Sequence, residues 1–250
     1  MKSTKYIIPN TITCLNLLAG SLAIVFAIAE YIMLPVYLLL AAAVFDFLDG
    51  LTAKLLHATS EFGKQLDSLA DLISFGLAPS ILMFKLMYSI LNYDAESFFS
   101  IKLPLLDAIL LYSTFIIVIS AALRLARFNI TVTSSPNFIG LPVPAATLIL
   151  VSVWLTMNVF EPGNTYSLFY NKWILIAIVF GVSVLMVSTI PMLSLKLKNL
   201  SIKDNLWEYA LIIGAIILFA IYRFESLLSI MLYYVLLSLA KAVSYKFQSA

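Results

Sequence analysis

One cysteine and one histidine stand in a chain of 250 residues. Cys14 has no second thiol to meet, which excludes an intrachain disulfide. His57 alone cannot build a histidine-based metal centre. Charge is equally scarce: charged residues make up 11% of the chain, against 62% hydrophobic. At a mean hydropathy of +1.03, no soluble domain of this size could bury so much apolar surface. The composition therefore predicts a polytopic membrane protein. No soluble domain, low-complexity tract or repeat is evident. Lys2 and Lys5 precede an apolar run long enough to span, so a cleaved signal peptide is not expected.

What is there in abundance is apolar sequence. Eight continuous runs, each of the length a bilayer requires, lie near 14–32, 35–56, 66–91, 104–127, 143–160, 172–193, 206–222 and 226–245. They do not alternate, so they read as helices rather than strands. The expectation is an all-α integral membrane protein with about eight transmembrane helices, forming a single membrane-embedded domain over 1–250. Ahead of the first run, Lys2 and Lys5 would sit among headgroups while Tyr6, Ile7 and Ile8 dip into the interface, and Pro9 would break the chain before the first span.

An even number of spans places both termini on one side. That side holds eleven basic residues: Lys2, Lys5, Lys54, Lys64, Arg124, Arg127, Lys196, Lys198, Lys203, Lys241 and Lys246. The other holds three, Lys102, Lys172 and Arg223. The positive-inside rule then puts both termini, and the loop His57–Lys64, in the cytoplasm, with the cytoplasmic membrane as the location. Lys85 lies within the third run and is expected to snorkel outward. Trp154, Trp173 and Trp207 read as an interfacial belt, and the Lys196, Lys198 and Lys203 loop as an orientation signal. His57 reads as a solvated loop residue.

The informative stretch is Asp46 to Asp71, DFLDGLTAKLLHATSEFGKQLDSLAD, which holds four of the chain's seven aspartates. Carboxylates at membrane depth are expensive, and they are usually there for a function. Asp46 and Asp49 are three apart and share a helix face with Ala53; Asp67 and Asp71 are four apart on the next helix. Two adjacent antiparallel helices could bring the four together, where like charges repel unless cations neutralise them. Oxygen ligands without His or Cys point to Mg²⁺, Mn²⁺ or Ca²⁺, and Mg²⁺ habitually shares its coordination with substrate phosphates. Gly50, Ala53 and Gly63 leave room beside the acids, either for close helix packing or for a ligand. Lys54 can offer charge to a phosphate. A cation or proton transporter is the competing reading, but the second half of the chain has no matching intramembrane acids: Glu161, Asp204, Glu208 and Glu225 all lie near span ends.

The pattern Asp46-x2-Asp49-Gly50-x2-Ala53-Lys54-x8-Gly63-x3-Asp67-x3-Asp71 resembles the signature of the CDP-alcohol phosphatidyltransferases, D-x2-D-G-x2-A-R-x8-G-x3-D-x3-D. Lys54 is the single departure, standing where the family usually has arginine; the charge is kept and the bidentate fork is lost. The resemblance implies a six-helix core, covering about residues 1–193, with two additional helices near 206–245, and usually a homodimer. It implies transfer of a phosphatidyl group from a CDP-linked lipid to an alcohol with release of CMP, dependent on Mg²⁺ or Mn²⁺, in two-ion form. By the same resemblance Asp46, Asp49, Asp67 and Asp71 hold metal, and Asp71 is also the general base. Gly50, Ala53, Lys54, Ser60 and Gly63 match the CDP-lipid site, as do Asn10 and Thr13 of PNTIT. Taken alone, Ser60 and Thr13 would read as helix caps.

Two further runs, Leu123–Asn129 (LRLARFN) and Phe138–Ala145 (FIGLPVPA), resemble the integral-membrane phosphatidylserine synthase branch of that family. This implies CDP-diacylglycerol and L-serine as substrates, membrane lipids as surroundings and no nucleic-acid partner. Arg124 or Arg127 could receive the serine carboxylate in a fork, or both could be anchors that snorkel to headgroups; Asn129 is a further acceptor-binding candidate. Another acceptor, glycerol 3-phosphate or an inositol phosphate, stays open on the same chemistry.

Overall fold

The computed structural model describes residues 4–92, 103–130, 138–159, 170–193, 205–223 and 226–248. Lys2, Lys102, Glu161, the loop lysines Lys196, Lys198 and Lys203, Asp204 and Glu225 lie outside them. The described residues form an all-α integral membrane protein. Its helices are α1 (Thr4–Ile28), α2 (Met33–Leu55), α3 (Glu61–Asp71), α4 (Ala78–Ile90), α5 (Leu105–Tyr112), α6 (Ile116–Ile130), α7 (Val143–Asn158), α8 (Lys172–Val187), α9 (Leu206–Tyr222) and α10 (Ser226–Gln248). A π-helical turn, Leu72–Leu77, joins α3 to α4, and a 3-10 turn, Ser113–Phe115, joins α5 to α6. Five stretches are long and apolar enough to cross a membrane: Lys5–Ile28, Met33–Leu55, Glu61–Ile90, Leu105–Ile130 and Ser226–Ser244. Shorter apolar helices occupy the places expected for the fifth, sixth and seventh spans. The sixth stops at Val187 rather than near 193: Ser188 is extended, and in a continued helix Pro191 could neither donate to Val187 O nor clear it. Pro191–Met192 instead pairs antiparallel with Phe138–Ile139.

The start of the chain differs from expectation. Pro9 does not break it: α1 runs unbroken from Thr4, with Pro9 inside. Pro9 withholds a single N–H, the one that would meet Lys5 O in the second turn of a 25-residue helix, and the helix continues past that one missing bond.

α1 and α2 form a hairpin. Each ends in a left-handed cap at a non-glycine residue, Glu30 (φ 67°) and His57 (φ 48°). In the second, Ala58 N donates to Ala53 O at 2.8 Å and His57 N to Lys54 O at 3.2 Å, closing the last turn of α2. His57 is exposed and serves as this cap. Trp154 leaves the expected interfacial belt: it is buried, and its Nε1 donates to Ile32 O at 2.9 Å, pinning the α1–α2 turn. Lys85 does not snorkel freely either, since it pairs with Glu30 at 3.0 Å.

The third span, Glu61–Ile90, is the most enclosed of the five. Its π turn has a local cause. Pro79 has no N–H for the carbonyl of Phe75, and its ring would crowd that carbonyl in an α-helix. The turn widens, Ala78 N bonds Ile73 O, and Phe75 O accepts instead from Thr147 Oγ1 at 3.0 Å. Ser74 of this turn lies directly on Gly20 of α1, where an added Cβ would come 2.5 Å from Ser74 Cα. Beside Gly50, by contrast, an added Cβ meets nothing within 4 Å. Gly20→Ala should therefore lower stability by about 1–3 kcal/mol through overpacking, whereas Gly50→Ala should not lower it. Thermal unfolding midpoints of the purified protein in detergent check both.

Candidate active site

The site is built where three helix ends converge. The last turns of α2 carry Asp46, Asp49, Gly50, Ala53 and Lys54. A short loop follows, and Ser60 opens α3 as its N-cap, accepting from Gly63 N at 3.0 Å. α3 then presents Asp67 and, one turn on, Asp71. The approach of α2 to α3 is less direct than the spacing implied. The two helices make little backbone contact with each other, and α1 packs along both. The side chains meet across the gap: Asp46, Asp49 and Asp67 each place a carboxylate oxygen within 4.8 Å of the others.

α1 supplies the donors. Thr13, mid-helix rather than a cap, gives its hydroxyl to Asp49 Oδ2 at 2.6 Å. Asn16 Nδ2 donates to Asp71 Oδ1 at 3.1 Å. Asp71 lies outside the group of three but within electrostatic range of all of them. Among the described residues, none of the four forms an ion pair with lysine or arginine. Asp67 Oδ1 is buried and has no hydrogen-bond partner. An orphaned carboxylate oxygen within a set of oxygen-only donors fits a hard divalent cation, which could be held there.

Beside the acids lies a cavity of about 510 Å³. Its wall takes Asn10 and Thr13 from α1, Asp49, Gly50, Ala53 and Lys54 from α2, and Ser60, Gly63, Lys64 and Asp67 from the loop and α3. All seven residues matched to the CDP-lipid site thus border one space. Gly50 faces open room rather than a neighbouring helix. Gly63 is tighter, since a Cβ there would lie 3.1 Å from Ser60 Oγ and 3.2 Å from Asn10 Oδ1.

The three acceptor candidates on α6 do not converge. Arg127 is exposed, and its Nη1 donates to Val187 O, at the end of α8, at 2.9 Å. Asn129 ties α6 to α3: its Nδ2 donates to Ser68 Oγ at 2.8 Å, and its carbonyl accepts from Lys64 Nζ at 2.7 Å. Arg124 turns inward, within electrostatic range of Asp71 and Tyr234, and its Nε is buried without a partner.

Asn16 is the residue that sequence reasoning passed over. The signal was present as Asn10, Thr13 and Asn16, three polar residues at intervals of three in an apolar helix. Such a row marks one side of α1, and each member reaches the site.

Residues 6–187 match the family model of CDP-alcohol phosphatidyltransferase. The chain is 36% identical over 189 residues to a protein of Helicobacter pylori (strain ATCC 700392 / 26695) named CDP-diacylglycerol–serine O-phosphatidyltransferase, covering 74% of this chain and 71% of that one. A Bacillus subtilis (strain 168) protein of the same name is 38% identical over 153 residues, covering 60% and 77%. An archaetidylserine synthase of Methanothermobacter thermautotrophicus is 34% identical over 195 residues, covering 76% and 71%. The matched region runs from the helix that gives Asn10, Thr13 and Asn16 to the end of α8, enclosing the whole acidic cluster, and the chain belongs to the CDP-alcohol phosphatidyltransferase family.

Proposed function

We propose that this enzyme transfers the phosphatidyl group of CDP-diacylglycerol to the hydroxyl of L-serine, giving phosphatidylserine and CMP. The observation that carries the reading is the cavity that Asp49 and Asp67 of the acidic cluster share with the residues matched to the CDP-lipid site, in a chain whose relatives from three organisms carry serine-transferase or serine-lipid synthase names. The excess of basic residues at the ends of the same spans supports a site facing the cytoplasm, in the cytoplasmic membrane. The family resemblance supports a homodimer.

The roles follow from placement. Asn10, Thr13, Gly50, Ala53, Ser60 and Gly63 shape the recess for the CDP moiety, and the absence of a side chain at Gly50 leaves the diphosphate room. Lys54 offers a positive charge from the cavity wall. Asp46, Asp49, Asp67 and Asp71 would hold Mg²⁺ or Mn²⁺, as a pair of ions, which would neutralise the carboxylates and stabilise negative charge on the diphosphate. Asp71 takes the proton of the serine hydroxyl. The hydroxyl oxygen attacks the phosphorus attached to diacylglycerol, and the bond from that phosphorus to the oxygen of CMP breaks. Arg124, rather than Arg127 or Asn129, receives the serine carboxylate, because it alone of the three turns toward Asp71. No covalent intermediate is invoked, since no Ser, Cys or His in the site has an activating partner among the described residues. A phosphorylated acceptor would call for more positive charge near Asp71 than Arg124 brings.

Purified enzyme given CDP-diacylglycerol and Mn²⁺ or Mg²⁺ should release CMP only when serine is added, and a chelator should abolish release. CMP release that ignores serine and follows another alcohol would overturn the acceptor assignment. Asp71→Asn should lower kcat by about 10²–10⁴-fold, the range of general-base catalysis, with CDP-diacylglycerol binding retained. Arg124→Ala should raise the KM for serine by about 10–100-fold, as loss of a charge-assisted contact does, while Arg127→Ala should leave that KM nearly unchanged; initial-rate kinetics with each substrate varied separate the two.

A further inference from the structure

Asn16 is completely buried on α1, 0% exposed. Its one hydrogen bond among the described residues runs from Nδ2 to Asp71 Oδ1 at 3.1 Å. Its own Oδ1 is buried and has no partner. An unsatisfied buried carbonyl is costly, about 1–3 kcal/mol, and a leucine of similar size would avoid that cost. The amide cannot escape by flipping, because its oxygen would then face a carboxylate. Asn16 therefore stands where an apolar residue would pack better, and what it gains is a hold on Asp71.

That hold matters for geometry. The terminal torsion of an aspartate is soft, and Asp71 sits at the junction of α3 with the π turn, among three other carboxylates. With Oδ1 fixed by Asn16, the plane of the carboxyl group is set and Oδ2 is aimed. Three residues earlier on the same helix, Thr13 does the corresponding thing to Asp49. We propose that Asn16 is a positioning residue for Asp71, fixing its carboxylate so that the second oxygen meets the acceptor hydroxyl. The proposal rests on Asp71 being the base.

The test uses the full chain, purified, with CDP-diacylglycerol, Mn²⁺ and serine. Asn16→Ala and Asn16→Leu should each lower kcat by about 10–100-fold, the scale of a misplaced reacting group. KM for serine and for the lipid should stay within about twofold, and the thermal midpoint of Asn16→Leu should be unchanged or raised. Because Asn16 acts through Asp71, adding Asn16→Leu to Asp71→Asn should cost nothing further. A merely structural residue would behave otherwise: a lowered midpoint, kcat restored once folded enzyme is counted, or losses additive with Asp71→Asn. Any of those results overturns the proposal. Should Asp71→Asn itself turn over at the native rate, the base assignment fails and this proposal falls with it. Should Asp71→Asn be slow and Asn16→Leu fast, only the positioning role is lost.

Discussion

Holding like charges together at the end of a membrane bundle is the constraint around which this molecule is arranged. Three carboxylates with oxygens inside 4.8 Å of one another repel by about 3–4 kcal/mol per ionised pair at an effective dielectric of 20. Three such pairs approach the whole stability of an ordinary domain, about 5–15 kcal/mol. Without lysine or arginine partners, the cluster depends on a cation or on protons to exist in this form. The described helices hold the carboxylates close without neutralising them, an arrangement suited to gripping a charged ligand rather than to strengthening the fold.

The rigidity needed to hold such a cluster comes from α1 and from the π turn behind Asp71. α1 is polar on one side at the cavity end, with Asn10, Thr13 and Asn16, and small further along that side, with Gly20, Ala23 and Ala27, the two alanines almost completely buried. The polar part holds carboxylates; the small part lets the third span come close. In the π turn three successive residues meet three different helices. Ser74 touches α1 at Gly20, Phe75 O takes the hydroxyl of Thr147 on α7, and Gly76 lies against Ala121 on α6. Pro79 offers Phe75 O no N–H, and the carbonyl accepts from Thr147 instead. The distortion that proline imposes thus locks the segment immediately following Asp71 at the centre of the bundle.

Much of this was legible in the residues. Continuous apolar runs placed the helices, and the spacing of the acids led to an expected convergence of four, of which Asp46, Asp49 and Asp67 come together. What was not legible depends on helix rotation and on partners distant in sequence. Arg124 and Arg127 are three apart and look equivalent along the chain; only the packing of α6 against α8 and the π turn decides that one faces Asp71 and the other Val187. Trp154 and Lys85 looked like interface residues because their partners, Ile32 O and Glu30, come from the α1–α2 turn. Pro9 misled because one missing N–H in the second turn of a 25-residue helix does not end it. Asn16 extends the row begun by Asn10 and Thr13, but its partner, Asp71, lies 55 residues away and is not visible from that row alone.

The last hairpin, α9 and α10, lies beyond the matched residues 6–187, yet it does not hang free of the core. Tyr234 on α10 gives its hydroxyl to Leu193 O at 3.2 Å, and Leu193 N donates to Ser238 Oγ at 3.2 Å, so α10 is stitched to the residue that follows the Pro191–Met192 strand. A buried pair, Lys241 with Glu208 at 2.7 Å, fixes α10 to α9. Breaking a pair of this kind leaves an uncompensated buried charge, which costs far more than the pair itself contributes; the hairpin is therefore held as a unit. Through Tyr234 that unit reaches the electrostatic surroundings of Arg124. The cavity beside the acidic cluster is thus built from α1, α2, α3 and the loop between the last two, all inside the matched region, whereas the surroundings of Arg124 also borrow from a helix outside it.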